Sequence, residues 1–165
     1  VMSLGFMFLF DKLSPATARI FFYAYAVAMG ASLSLFFMIF KISSIFQAFF
    51  ITSALFGVMS LYGYTTKKDL TSLGSFLMMG VIGLLIAGVV NLFLQSAMMS
   101  FIISCVAVLV FTLLVAFDTQ NIKDTYEETS GEEREKLGIL GALSLYMNFI
   151  NIFIHLLQLI GEKQE

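Results

Sequence analysis

A serine, two asparagines, a histidine and a glutamine recur at helical spacing inside an uncharged segment. The segment reads SLYMNFINIFIHLLQ over 144–158, and it lies in a run, 137–160, that carries no charged residue. At 100° per residue these side chains and a glycine fall in one stripe roughly 100° wide. The stripe consists of Gly141, Ser144, Asn148, Asn151, His155 and Gln158. Such a stripe either bonds neighbouring helices or faces a wet cavity.

The polar stripe predicts a helix inside a bundle rather than one that faces lipid. Each unpaired polar group in hydrocarbon costs several kcal/mol, so aligned small and polar positions disfavour contact with lipid. Two interpretations stay open: hydrogen bonds that only hold the bundle together, and a polar path through it. Ser144 and Asn151 suit either one equally, whereas Asn148 and His155 favour the path.

Asp118, in the segment LLVAFDTQNIK, is the second candidate for chemistry. It adjoins the uncharged run 70–117 and has no charged residue beside it in the sequence. A carboxylate inside a membrane or at its edge is a functional candidate by default. The alternative is that the helix ends at this point and the carboxylate is already in water.

Enzyme chemistry finds little support in the same residues. Ser144 and His155 share a face but are separated by about 16 Å along a helix, so they cannot form a catalytic pair. The single histidine and the single cysteine lie in different segments and make a poor transition-metal site. No lysine lies within a segment predicted to cross the membrane, which excludes a retinal-type Schiff base. The chain also has neither a phosphate-binding glycine loop nor a nucleic-acid patch. A conduit or an interaction protein is therefore favoured over an enzyme, and no cofactor is expected.

Composition places these residues in a membrane protein. The 165 residues are 59% hydrophobic and 12% charged, whereas soluble domains are about 25% charged. Uncharged runs cover 20–40, 42–66, 70–117 and 137–160. The third run is about twice the ~20 residues needed to cross a bilayer, and Gln95-Ser96 divides it. Five spans are predicted, at about 18–40, 46–64, 72–94, 98–119 and 137–160, and because the runs are continuous they are helices.

The first ten residues, VMSLGFMFLF, are apolar but too few to cross a bilayer. They lack the basic region and the cleavage site of a signal peptide. We expect the segment 1–10 to be the end of an incomplete span, in a single membrane domain that covers 1–165. A helix start is expected just after it, with Ser14 as the cap and Pro15 in the first turn.

Loop charges predict the orientation. With alternating spans, the loops at 11–19, 65–71 and 120–136 share one side, which holds seven of the nine Lys and Arg residues. The positive-inside rule then places that side in the cytoplasm and the C-terminus outside. The acidic segment 121–136 is expected to be a solvated connector. A face of small residues is expected to pack against a neighbouring helix, and it comprises Gly80, Gly83, Ala87 and Gly88.

Three segments in order resemble the Bax inhibitor-1 family of membrane proteins. They are SLYGYTTKKDLTSLGSFLMMGVIGLLIAGVVNLF (60–93), FDTQNIK (117–123) and GALSLYMNFINIFIHLLQLIG (141–161). The resemblance implies an all-α fold similar to a seven-helix bundle whose last helix is central. This chain would cover about the end of helix two to helix seven of that bundle.

The resemblance also implies a calcium leak controlled by pH. In the family, a carboxylate at the end of the sixth helix faces a second one on the central helix, and the two share a proton. Asp118 matches the first position and is a possible calcium ligand, whereas Asn148 occupies the second. An amide shares no proton and brings no charge to a divalent cation, so pH control is expected to weaken. The unperturbed pKa of a histidine is near the physiological range, so His155 could replace the proton sensor, although it lies about 10 Å further along the helix.

The expected function is a calcium leak across a membrane, with Asp118 and Asn148 at the gate. The expected location is a bacterial inner membrane. Its expected partners are the lipid bilayer and the calcium ion, with no nucleic acid. One alternative is an interaction protein that modulates a membrane-bound quality-control protease, as some relatives are thought to do. A weaker alternative is a transporter of small metabolites.

Overall fold

The computed structural model of the protein describes residues 14–164 and is built from α-helices over that range. The helices are α1 (Pro15–Ser34), α2 (Phe36–Ile39), α3 (Ile42–Thr65), α4 (Thr71–Leu94), α5 (Ala97–Glu128) and α6 (Gly131–Ile160). Because α2 continues α1, five helical segments in this part of the chain are long and apolar enough to cross a membrane. The predicted all-α membrane fold is confirmed. The expected half-span over 1–10 lies outside the described residues.

Local sequence signals set several helix ends. Ser14 Oγ accepts a hydrogen bond from the N–H of Thr17 at 3.3 Å, and Pro15 is the first residue of α1. Between α4 and α5, Gln95 adopts a left-handed conformation with φ 49°, which stops α4. Ser96 then caps α5. The division of the long apolar run at Gln95 and Ser96 therefore follows from one backbone turn and one side-chain cap.

The expectation that the solvated segment 121–136 is a loop is wrong, because most of this segment is helical. α5 continues to Glu128 and α6 begins at Gly131, so only Thr129 and Ser130 join them. Glutamate, lysine and arginine are good helix formers, and they favour continuation of both helices into water. The 32 residues of α5 span about 48 Å, which exceeds the roughly 30 Å of a hydrocarbon core. Both helices consequently project beyond the bilayer at this end.

Side chains brace the projecting ends. Arg134 Nε donates a hydrogen bond to the carbonyl of Thr129 at 2.7 Å, and its guanidinium lies 4.4 Å from the ring centroid of Tyr126. Arg19 at the start of α1 forms an ion pair with Glu135 near the start of α6. These contacts hold the α5–α6 turn and α1 together at one end of the bundle. We call this end, which also carries the α3–α4 connection, the basic face.

α6 is the helix around which the described part of the bundle is arranged. It packs against α5, α3 and α1, and α5 in turn packs against α3 and α4. A buried apolar cluster is shared by α6 and its neighbours, and it comprises Phe40, Ile45, Ala48, Val115, Ile152, Phe153, Leu156 and Leu157. Both the polar and the apolar sides of α6 are therefore covered by protein. The expected central position of this helix agrees with these contacts.

Close helix contacts occur at glycines other than the expected ones. A Cβ at Gly83 or Gly88 would meet nothing within 4 Å, and one at Gly80 would reach only Val110, at 3.5 Å. At Gly63 a Cβ would overlap the backbone of Ala116, so this glycine lets α3 lie directly on α5. The small-residue face of α4 is thus open along most of its length in the described part of the bundle. Spacing within one helix cannot show which neighbour a small residue will meet.

The C-terminal residues are tied to the α2–α3 connection at the end of the bundle opposite the basic face, which we call the opposite face. The N–H of Lys41 donates to the carbonyl of Glu162 at 2.8 Å, and the N–H of Gln164 donates to that of Ile39 at 2.8 Å. Lys41 Nζ also contacts Glu162 Oε2 at 2.7 Å. The hydrogen bond and the charge of Lys41 lower the pKa of the Glu162 carboxyl. The carboxylate therefore remains ionised throughout the neutral range.

Candidate functional site

Asp118 lies on α5 with its carboxylate turned toward α6. The hydroxyl of Ser144 and the side-chain amide of Asn148 both donate to Asp118 Oδ2, the second at 2.7 Å. Asn148 is 5% exposed. We call Asp118, Ser144 and Asn148 the carboxylate cluster. Its carboxylate acts as an acceptor only, and both of its partners are neutral.

The cluster forms because two antiparallel helices approach closely beside it. A Cβ at Gly141 would overlap the side chain of Ile122, so the glycine brings α6 onto α5 one turn before Ser144. On α6, Ser144 and Asn148 are four residues apart and point the same way. The polar stripe thus supplies two donors to one carboxylate. The sequence predicted the stripe, and the family resemblance predicted that Asn148 would face Asp118.

No cation neutralises Asp118 within residues 14–164. The ion pairs of that range are Arg19–Glu135 and Lys41–Glu162, which lie near the two ends of the bundle. The same range holds no group of three or more His, Cys, Asp or Glu side chains able to bind a metal. A calcium ion at this point would therefore meet one carboxylate together with neutral oxygens. The electrostatic character of the cluster is that of a single, partly buried negative charge.

Gln120 has a structural role that its place in the sequence did not predict. Its Nε2 donates to the carbonyl of Lys68 at 2.8 Å, and its Oε1 accepts from the N–H of Leu70 at 2.9 Å. One amide side chain thereby joins α5 to a carbonyl and an N–H of the α3–α4 connection. Within that connection, hydrogen bonds from Thr71 lower the pKa of Asp69. The polar part of FDTQNIK is the only sequence signal that pointed to Gln120.

A second polar cluster lies near the opposite face. Ser104 Oγ donates to Gln158 Oε1 at 2.9 Å, and His155 Nδ1 lies 3.2 Å from the same hydroxyl. Ser104 is 2% exposed. We call Ser104, His155 and Gln158 the imidazole cluster. The sequence indicated His155 and Gln158 but missed Ser104, whose polarity within span 98–119 was its only signal.

Asn151 occupies the polar stripe without bonding another helix in the described contacts. Its Nδ2 donates to the carbonyl of Met147, one turn earlier on α6, at 2.8 Å. The apolar side of α6 is at least as well covered, since Phe153 is 8% exposed. Membership of the stripe therefore did not decide which positions bond across helices. Whether a stripe residue bonds across helices depends on which group the neighbouring helix places opposite it.

An apolar layer separates the two polar clusters. Val115 and Ile152 are both fully buried, and they lie between the clusters on α5 and α6. Phe111 and Val108 pack against the same core from α5. In this conformation the interface offers polar groups at two depths, and the buried Val115 and Ile152 lie between them together with Asn151 on α6.

Comparison with known proteins finds one family and several bacterial relatives that are similar to the chain. The model of a family described as "Inhibitor of apoptosis-promoting Bax1" matches residues 1–165. The protein RP147 of Rickettsia prowazekii, named as uncharacterized, is 46% identical over 164 residues, which are 99% of this chain and 70% of the relative. A Caulobacter vibrioides protein, also named as uncharacterized, is 46% identical over 154 residues, covering 92% of this chain and 61% of the relative.

A third relative carries a membrane location in its name. The inner membrane protein YbhL of Escherichia coli is 39% identical over 157 residues, which are 93% of this chain and 67% of the relative. The chain thus spans between 61% and 70% of the length of these three relatives. The family match extends over the whole chain, and five helices of the described residues are able to cross a membrane. The chain belongs to the Bax inhibitor-1 family of multi-pass membrane proteins.

Proposed function

We propose that the protein is a cation leak, with calcium as the expected ion, and that the carboxylate cluster is its gate. The observation that carries the proposal is an aspartate held between two helices by neutral donors, with no cation to balance it within residues 14–164. Carboxylates inside membrane bundles are costly and are retained where ions or protons pass. The position of Asp118 near one end of an apolar layer suits such a gate.

Calcium binds oxygen ligands, and the cluster offers three kinds of them. Within the cluster, the Asp118 carboxylate is the one charged group that would attract a calcium ion entering from the basic face. The Ser144 hydroxyl and the Asn148 amide would then turn their oxygens to the ion, with water completing six to eight ligands. Both side chains can turn an oxygen to the ion because hydroxyl and amide groups each contain a donor and an acceptor. In the closed form the same groups donate to Asp118 and keep the helices together.

The proposed location is a bacterial inner membrane, with the basic face in the cytoplasm. YbhL supports the location by its name, and the excess of Lys and Arg on one side supports the orientation. The projecting ends of α5 and α6 would then stand in the cytoplasm. The carboxylate cluster would control the cytoplasmic mouth of the path.

The test is calcium flux into liposomes that contain the full-length protein. Asp118→Asn should lower flux by about tenfold or more, since loss of a charged ligand costs on the order of 1.5–3 kcal/mol. Asp124→Asn is the matched control, because it makes the same change six residues later on an exposed part of α5. Equal flux in the two variants would remove Asp118 from the path. A full-length protein that carries no calcium would favour the interaction-protein alternative.

A further inference from the structure

The imidazole cluster has a defined direction of hydrogen bonding. The Ser104 hydroxyl has one hydrogen, and it is directed to Gln158 Oε1 at 2.9 Å. The 3.2 Å contact with His155 Nδ1 must then use a hydroxyl lone pair, so that Nδ1 carries the hydrogen and donates it. The neutral imidazole consequently has its basic lone pair on Nε2. That nitrogen is the position where the ring takes up a proton.

The cluster lies in the half of the membrane away from Asp118. Ser104 and Asp118 are both on α5 and are about 21 Å apart along its axis. His155 is about 7.5 Å from the end of α6 at Ile160, close to the opposite face. The apolar layer that contains Val115 and Ile152 lies between the clusters. A proton would therefore reach His155 from the opposite face and Asp118 from the basic face.

Few charged groups surround the imidazole. α5 contributes Cys105, beside Ser104, and the distant Asp118, whereas α6 itself contributes Tyr146. At the mouth of the opposite face, Lys41 and Glu162 form an ion pair, and Lys163 is exposed beside them. α1 has no charged residue beyond its first turns, and α3 has none. The titratable groups that these two helices contribute are the tyrosines Tyr23, Tyr25, Tyr62 and Tyr64. A charge that forms on His155 would thus have no counter-charge close to it within residues 14–164.

We propose that His155 is a second control point on the same path, and that a proton taken up from the opposite face closes it to cations. This inference rests on the proposed cation leak. Protonation at Nε2 makes the ring a cation in a weakly polar setting, where repulsion of a second cation is strong. A divalent ion is repelled twice as strongly as a monovalent one. Ser104 is a positioning residue, because its hydroxyl holds Nδ1 and so directs Nε2.

The experiment varies pH on one side at a time. In liposomes with the full-length protein, calcium flux should fall about tenfold when the opposite-face pH goes from 7.5 to 4.5, with the basic-face pH kept at 7.5. His155→Gln, which has an amide donor for Ser104 and no charge, should abolish this response while flux at pH 7.5 is kept. His155→Arg, which carries a fixed charge, should give low flux at both pH values.

Ser104→Ala tests the positioning role, and Ser53→Ala is its control because the Ser53 hydroxyl bonds the Phe49 carbonyl of its own helix. Only Ser104→Ala should shift the midpoint of the pH response. Labelled imidazole nitrogens give a separate readout, and the signal lost in His155→Gln should show a hydrogen on Nδ1 at pH 7.5. Calcium flux that ignores opposite-face pH, or a response that persists in His155→Gln, overturns the control point alone. Absence of flux at any pH overturns the proposed function, and the control point with it.

Discussion

At the residue scale, the chemistry of the carboxylate cluster depends on one amide. Asn148 donates to Asp118 Oδ2 at 2.7 Å, a bond that needs no shared proton. Two carboxylates in the same positions would resist full ionisation and would keep one proton between them. With Asn148 present, pH on the basic face should have little influence on flux near neutrality. Any strong dependence of flux on the pH at the opposite face would then be due to His155.

Asn148→Asp should restore a coupled acid pair. The two carboxylates would face each other across α5 and α6, and one of them would remain protonated at pH values where a single carboxylate is ionised. Calcium flux should then depend on basic-face pH between about 6 and 8. The measurement is flux into liposomes with the opposite-face pH kept constant, so that His155 does not contribute.

The second substitution Asp118→Asn, made in the Asn148→Asp protein, is the control. It leaves one acid and should remove the new pH dependence, because a single acid has no partner with which to share a proton. If Asn148→Asp leaves the pH profile unchanged, the two positions do not act as a pair. Steep basic-face pH dependence in the natural sequence would contradict the role given to Asn148.

At the scale of helices, the register between α3 and α5 depends on one close approach. A Cβ at Gly63 would overlap the backbone of Ala116, which cannot turn away as a side chain would. The register of α3 against α5 also sets the depth of Asp118 relative to the α3–α4 connection that Gln120 holds. Packing between helices and the position of the gate are therefore linked.

Gly63→Ala should destabilise the bundle by about 1–3 kcal/mol, since the added methyl group forces α3 and α5 apart. Gly57→Ala is the matched control on the same helix, because a Cβ there meets nothing within 4 Å. It should be neutral or slightly stabilising, as alanine favours helices over glycine. Thermal unfolding in detergent measures both changes. A Gly57→Ala loss equal to that of Gly63→Ala would show that the close approach is not required.

At the scale of the whole molecule, the two ends of the bundle are built differently. The basic face has long helical projections that are braced by Arg134 and by the ion pair of Arg19 with Glu135. The opposite face has short connections and is closed by the C-terminal residues, with Lys41 paired to Glu162. Each polar cluster lies near one of these ends. The orientation in the membrane therefore decides which compartment each cluster senses.

Ser130→Cys, in a Cys105→Ala background, should report this orientation. Ser130 is exposed in the turn between α5 and α6, so its thiol should react with impermeant reagents only after the cytoplasmic side is opened. Lys163→Cys, on the opposite face, is the control and should react in intact spheroplasts. Labelling of Ser130→Cys in intact spheroplasts would reverse the topology and exchange the compartments assigned to Asp118 and His155.

The sequence by itself determined the number and the type of the spans in the described chain. A bilayer requires long apolar helices, so uncharged runs and a turn signal at Gln95 and Ser96 were sufficient to locate them. The same periodicity determined that one side of the last helix is polar and must be covered. The family resemblance then added the expectation that Asp118 faces Asn148. These predictions succeeded because each depends on local composition or on a motif.

Only the tertiary structure decided which polar groups meet. Ser104 is one serine among many in the sequence, yet the register of α5 against α6 places it beside His155 and Gln158. The same register leaves Asn151 with a partner in its own helix. Register is the sum of many packing contacts between distant parts of the chain, including the close approach at Gly63. Periodicity within one helix carries no information about that sum, and hydropathy could not show that the acidic ends of α5 and α6 remain helical in water.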